Sequence, residues 1–261
     1  GGNPVYTAPA DLDFAAALDQ VPLRAHLGLY ADETSARCQW HVPESHYLET
    51  WGDGRAYDGT VTIEQPLIAP LYDSRSALEV LDLLLNEEGR SSHDLVQAYW
   101  TGQQGQADFA SFWQTTLNNG VVAKSALPAK TVTLQADLAA LPAPAPPGAG
   151  LEINFRPDSA VWDGRFANNG WLQELPRPIT KLTWENALLI SPQTAASLGL
   201  TMGDLVEVAL HGQTLQAPLW ILPGQPDRAV TLHLGYGRSQ AGRVGNGVGV
   251  NAFALRTADA P

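Results

Sequence analysis

Apolar positions recur along this chain with two different periods, helical in the first half and mostly alternating in the second. In "PADLDFAAALDQ", Phe14, Ala17 and Leu18 share one side of a helical period behind acidic residues, which predicts a helix. "PLRAHLGLY" then reads as a strand, "DETSARC" as a short helix opened by acids, and "QWHVP" as a strand stopped by Pro43. Such a βαβ unit places working residues in the loops after its strands, around Tyr30 to Thr34 and Pro43 to Asp53. The stretch from Leu48 to Arg75 is long, turn-rich and aromatic, the signature of a functional loop or a surface cover. Helices follow over Ser74 to Asn86, over Ser92 to Trp100 with Ser91 or Ser92 as cap, and over "ADFASFWQTTLNNG". The apolar run "SALEVLDLLL", broken by Glu79 and Asp82, reads as a core helix.

The second half changes character. "NALLISPQTAASLGL" supplies a strand, Ser191 as a cap, Pro192 at the first helical position and Gly199 as the stop of a short helix. In "GDLVEVALHGQTLQAPLWIL", Val206, Val208 and Leu210 alternate with polar positions, predicting two strands around His211-Gly212. "AVTLHL" is one more strand. Short strands, one small helix and glycine-rich corners describe a closed barrel better than an open sheet. Between the halves, "LPAPAPPGAG" holds four prolines and two glycines and reads as a linker. The expected division is therefore an α/β region at 1–140, a linker at 141–150 and a barrel domain at 151–261.

Composition narrows the function classes. The 261 residues carry 27 Asp and Glu against 15 Lys and Arg, a net charge of −12. That disfavours a general nucleic-acid binder and an anionic membrane surface. No run approaches the roughly 20 apolar residues of a spanning helix, so no direct membrane insertion is expected. Cys38 stands alone, which excludes an internal disulfide and a four-cysteine iron–sulfur site within these residues. The opening "GGNPVYTAPADLDF" reads like an interior segment of a longer protein.

Candidate chemistry is thin outside one loop. His41, His46 and Glu49 have residue types that suit zinc, but their spacing matches no ligand pattern, and no metal site is assigned. Ser45 beside His46 lacks a nucleophile elbow, and Cys38 lacks an activating context, so no catalytic residue is assigned. Trp51, Trp162 and Trp171 lie in polar loops, where a sugar-stacking surface competes with ordinary packing. The segment 232–256 packs six glycines and three arginines between apolar runs. Glycines there let backbone approach an anionic ligand, or they satisfy positive φ at corners while the arginines bind neighbouring carboxylates. Neither the dinucleotide fingerprint nor the P-loop pattern occurs.

The segment "WENALLISPQTAASLGLTMGDLVEVALHGQTLQAPLWILPGQ" resembles the C-terminal double-psi β-barrel of the molybdopterin oxidoreductases, which holds the guanosine dinucleotide tails. Asn186, Pro192, Ala195, Gly199, Gly203-Asp204, Val206 and Gly212 carry that likeness. "GGNP" and "ETSARCQWHVPESHYLE" are similar to the third, partly Rossmann-like domain of the same family. "TWGDGRAYDGTVTIEQPLIAPLYDSRS", "ANNGWLQELPRPITKLTWEN" and "GYGRSQAGRVGNGVGVNAF" resemble the large extracytoplasmic subunit of alternative complex III, a quinol-oxidising respiratory complex, and its Tat-exported relatives.

The resemblance implies an α/β region with parallel strands followed by a double-psi barrel, and a scaffold or electron-transfer support role. The alternative is a fragment of a molybdenum enzyme that binds bis-pterin guanine dinucleotide. In a pterin-binding relative the dinucleotide would meet Asn186, Gly235, Gly237, Arg238, Arg243, Gly245, Asn246, Gly247 and Asn251. No cofactor is expected in these residues alone, although molybdopterin guanine dinucleotide is implied for a full-length pterin enzyme. Implied partners are further N-terminal domains, an iron–sulfur domain or subunit, a membrane quinol-oxidising subunit and cytochrome c subunits, on the periplasmic or extracytoplasmic face.

Overall fold

In a computed structural model of the chain, the described residues are 2–104, 108–134, 148 and 150–259. They divide into two compact units, one of residues 27–29, 42–104 and 108–134, the other of residues 2–26, 30–41, 148 and 150–259. Most of the first forty-one residues therefore pack with the C-terminal half. The expected linker at 141–150 lies outside the described residues, apart from Gly148 and Gly150.

The second unit opens with α1 (Pro4–Thr7), a 3-10 turn at Ala10–Leu12 and α2 (Phe14–Asp19). The single helix expected here is interrupted at Asp13, whose φ of 42° is left-handed and turns the chain between the two pieces. Strands β1 (Ala25–Gly28) and β2 (Trp40–Pro43) form a two-stranded sheet, with a 3-10 turn at Ser35–Arg37 in place of the expected helix. Asp32 Oδ1 accepts from the N–H groups of Thr34 and Ser35 and so shapes the loop after β1.

In the first unit, β3 (Gly52–Arg55) and β4 (Val61–Glu64) pair as an antiparallel hairpin inside the stretch expected to be a long loop. Only Val61 and Ile63 carry its period-2 signal, because β3 reads Gly-Asp-Gly-Arg. Helices α3 (Ala77–Asn86), α4 (Ser92–Gln104) and α5 (Phe109–Asn119) follow where predicted. Their core is Val61, Ile63, Val96, Trp100, Trp113 and Val122. Ser76 and Glu79 form a reciprocal capping box at α3, and Gly120 ends α5 at φ 73°. The expectation of α3 as a core helix is overturned, since Asp82 is its buried residue and its leucines are exposed. Asp82 goes inward because Arg90 and Asn86 satisfy it there.

The rest of the second unit contains β5 (Glu152–Pro157), α6 (Gly170–Glu174), β6 (Leu188–Ile190), α7 (Pro192–Ser197), β7 (Leu205–Leu210), β8 (Gln213–Ile221) and β9 (Ala229–Leu234). The sheet order is β5-β9-β6-β8-β7, with β5–β9 and β6–β8 parallel and β6–β9 and β7–β8 antiparallel. Ser191 caps α7, while His211 and Gly212 turn β7 into β8 at φ 48° and 83°. Leu188, Ile190, Leu219, Val230, Leu232 and Phe253 lead the core. Residues of both β5 and β7, the ends of the sheet order, line one apolar cavity of about 360 Å³. The sheet is mixed, and both of its end strands reach that cavity.

Gly203 sits at φ 88° before β7, and a Cβ built there would meet nothing within 4 Å. Substituting Gly203→Val should therefore carry backbone strain alone, about 1–2 kcal/mol, read as a lowered urea midpoint. An unchanged midpoint would refute the strain at this turn.

Candidate functional site

The glycine-rich segment after β9 is held by two buried arginine–carboxylate pairs. The first begins at Asn3, whose Oδ1 accepts from the Thr34 N–H and hydroxyl while its Nδ2 donates to Glu33 Oε2 at 2.6 Å. Glu33 is thereby fixed in the loop after β1, facing residues 238–240. Arg238 donates through Nε to both carboxylate oxygens of Glu33 and through Nη2 to Oε2 at 2.7 Å, a bidentate fork. The backbone N–H groups of Ser239 and Gln240 donate to Glu33 Oε1 at 2.9 and 3.0 Å. Burial alone would raise the Glu33 pKa, but Arg238, the Gln240 amide and Asn3 together lower it to about 2. Glu33 is ionised wherever the protein is folded near neutrality.

Arg238 also lies over the Tyr6 ring, Cζ to centroid 4.8 Å, and Tyr6 Oη donates to the Tyr236 carbonyl at 2.6 Å. Burial raises the Tyr6 phenol above its usual range despite the nearby guanidinium. The second pair is Arg177 with Asp158, joined at 2.8 Å, with Asp158 also accepting from the Ala160 and Val161 amides. Arg177 donates further to the Leu172 and Leu175 carbonyls and to the Tyr236 hydroxyl. Tyr236 is thus gripped at its hydroxyl by one pair and at its carbonyl by the tyrosine beneath the other.

The structure gathers the nine residues assigned to a dinucleotide around this loop, and most serve the loop itself. Arg238 is 7% exposed, and its remaining donor contacts go to the Gly164 and Gln240 carbonyls. Its Nε and Nη2 donors are thus committed to protein groups, as is one N–H of Nη1. Asn186 bonds the chain beside it on both edges, accepting from the Val250 N–H and donating to the His233 and Val250 carbonyls. A Cβ on Gly235, Gly237 or Gly245 would fall within 2.6 Å of backbone atoms, so these glycines permit close chain contact with other protein segments. Asn246 Oδ1 accepts from the Ala241 N–H, the Gly247 N–H donates to the Arg238 carbonyl, and Asn251 Oδ1 caps the 3-10 turn at Ala252–Ala254. Arg243 is exposed. Of the two readings of the loop, corner glycines with arginine–carboxylate pairing is the one that Arg238 realises.

Two cavities flank the loop. One of about 290 Å³ is lined by Asp158, Arg177, Asn186 and His233, with Arg156 and Glu185 at its wall. Burial lowers the His233 pKa, with Asp158 opposing that shift. The other, an open cleft of about 460 Å³, is lined by Tyr30, Arg165, Phe166, Asn168, Asn169 and Trp171, with Trp171 86% exposed. The Val244 N–H donates to Asn168 Oδ1, which ties this cleft to the loop.

Residue types alone pointed to neither Glu33 nor Asp158 and Arg177, although Glu33 does fall in the post-strand segment expected to carry working residues. The other candidates are placed elsewhere. His41 Nδ1 lies 3.1 Å from His26 Nδ1, whereas Glu49 accepts from the His46 and Leu71 amides. Among the described residues no group of three or more His, Cys, Asp or Glu is placed to hold a metal ion. Ser45 Oγ lies 2.9 Å from Ser74 Oγ, and Cys38 is a half-buried free thiol. Trp51 stacks on Trp113, Trp162 is half exposed at φ 59°, and Trp171 alone of the three forms an open wall. No described helix is long and apolar enough to cross a membrane.

No protein-family model matches the chain. It is 25% identical, over an alignment of 279 positions, to the menaquinone reductase, molybdopterin-binding-like subunit of Nitratidesulfovibrio vulgaris strain Hildenborough. That alignment covers 97% of this chain and 37% of the relative. Its structure matches acetylene hydratase from Pelobacter acetylenicus with a TM-score of 0.63 and 16% identity, over 98% of this chain and 39% of the other. The first is a likeness of sequence to a protein named as molybdopterin-binding-like. At 16% identity the second is a likeness of fold, and it fits the mixed helices and sheets described above. The chain spans little more than a third of either protein.

Proposed function

We propose that this chain is the C-terminal part of a molybdopterin-oxidoreductase-like subunit that acts as a scaffold in a quinone-linked respiratory complex. The curated relative, named as a subunit of a menaquinone reductase, supports the quinone link. The loop sequences resembling alternative complex III favour quinol oxidation, with an iron–sulfur domain or subunit, a membrane quinol-oxidising subunit and cytochrome c subunits as partners. The proposed site of action is the periplasmic or extracytoplasmic face. The mixed sheet, with β5 and β7 on one cavity, supports a double-psi barrel as its architecture.

The observation that carries the scaffold reading is the commitment of Arg238 to Glu33, Gly164 and Gln240. A bound pterin dinucleotide would supply a metal-dithiolene redox centre, and its phosphates need free donors. The buried half of the loop has spent its guanidinium on protein groups, so it does not fit that cofactor. The open cleft with Trp171, whose Asn168 wall holds Val244 next to the exposed Arg243, is the feature that favours the rival, a molybdenum enzyme fragment holding the dinucleotide tail.

Metal analysis of the purified chain and of its full-length assembled protein separates the two. The scaffold reading expects no stoichiometric molybdenum, tungsten or iron in this chain, and no pterin retained at the loop in the assembled protein. One molybdenum or tungsten per chain, with pterin fluorescence after oxidation that Arg243→Ala removes, would establish the enzyme reading instead.

A further inference from the structure

Helix α3 exposes an apolar face that its own unit fixes in place. At 100° per residue, Leu78, Leu81, Leu84 and Leu85 fall within one arc of the helix surface, and Leu84 and Leu85 are 72% and 78% exposed. The helix cannot simply roll to cover them. Asp82 accepts from the Arg90 backbone N–H, the Arg90 guanidinium and Asn86, while Glu79 accepts from the Ser76 and Ser92 amides. Rolling the leucines inward would break this set and strand a buried carboxylate. Leu78 links the exposed arc to a groove of about 340 Å³ lined by Leu95, Val96, Tyr99 and Trp100.

Charge decides what suits this face. Residues 42–143 hold 13 acidic and 5 basic side chains, a net −8 of the chain's −12. Glu87 caps α3 at the end where the helix dipole is already negative and cations are favoured, while Glu88 beside it pairs with Arg90 at 3.0 Å. A second copy of the chain or an anionic lipid surface would meet like charge here. We infer that the α3 leucine arc and its groove are the docking site for a basic amphipathic helix of another polypeptide, laid apolar face inward. This surface rests on the geometry of α3, α4 and the groove between them and stands independently of the quinone-linked reading.

The test uses the whole chain and a fluorescent synthetic peptide of about 18 residues, five helical turns. The peptide carries leucine at every third or fourth position and lysine between; a second peptide replaces each lysine with glutamate. Fluorescence anisotropy is expected to show saturable binding of the lysine peptide, weakened as salt rises to about 0.5 M, and no binding of the glutamate peptide. The double variant Leu84→Gln/Leu85→Gln should weaken binding by at least about tenfold with an unchanged melting temperature. Leu134→Gln, also exposed in this unit, should bind as the parent does. No binding of the lysine peptide, equal binding of both peptides, or indifference to the double variant would each overturn the assignment. So would sedimentation showing a dimer, or flotation with anionic vesicles, that the double variant abolishes.

Discussion

Replacing Arg238 with methionine is expected to destabilise the unit that carries the glycine-rich loop by about 3–5 kcal/mol, since it leaves an uncompensated buried carboxylate. Glu33 would keep the Ser239, Gln240 and Asn3 donors but lose its countercharge. The pH dependence identifies the cause. In the parent the Glu33 pKa falls from an ordinary 4.5 to about 2 in the folded state. Its contribution, about 3 kcal/mol, is therefore fully present above pH about 5 and is lost as pH falls towards 2. In Arg238→Met the burial penalty is no longer opposed by the arginine, and the folded carboxyl prefers its proton. Relative to the parent, the variant should recover stability between pH 7 and pH 4. Urea unfolding at pH 7, 5.5 and 4 measures both slopes. A variant that tracks the parent at a constant offset would show that the pair is not the source of the loss.

The legible parts of the fold were those where one local signal had no competitor. Ser191-Pro192 and Gly199 bound α7, and His211-Gly212 turn β7 into β8, because capping and left-handed turns are local chemistry. The hairpin of β3 and β4 was hidden because Gly52, Asp53 and Gly54 carry no strand propensity and pair only through Val61 to Glu64. The helix expected across residues 9–20 broke at Asp13, a residue that tolerates left-handed φ and offers no warning of it. Apolar periodicity in α3 gave the right element and the wrong environment, since period reports that an arc exists and not what covers it.

The candidate site divides along the same line. Sequence brought the loop and its glycines forward and Glu33 only as a member of the segment after β1, while Asp158 and both pairings emerged from tertiary contact. Arg238 and Glu33 are 205 positions apart, and no spacing rule links them. What the residue types did contain was the balance of possibilities: arginines in an acidic chain find carboxylates. The structure realises this twice, at Arg238 with Glu33 and at Arg177 with Asp158.

Gly237→Ala is expected to cost about 3 kcal/mol or more, the largest effect of any single methyl group added to the loop. Gly237 has φ 67°, and a Cβ there would lie 2.3 Å from the Asn251 nitrogen, 2.7 Å from the Val250 carbonyl carbon and 2.8 Å from the Asn251 Cα. All three are backbone atoms, so no side chain can swing away. Residues 248–251 are also tied down, through the Gly237 N–H to the Val248 carbonyl and through both edges of Asn186 to Val250. Relief must therefore come from moving one chain segment off the other, breaking those bonds. Gly247→Ala separates conformation from contact, because Gly247 shares the same loop and a φ of 70° but has nothing within 4 Å of a built Cβ. It should cost only about 1 kcal/mol. Urea midpoints for the two variants, together with amide hydrogen exchange at Gly237 and Val250, decide the matter. Equal losses would mean that φ alone governs Gly237. A larger loss with faster exchange at both amides in Gly237→Ala would locate the energy in the close approach of residues 237 and 251.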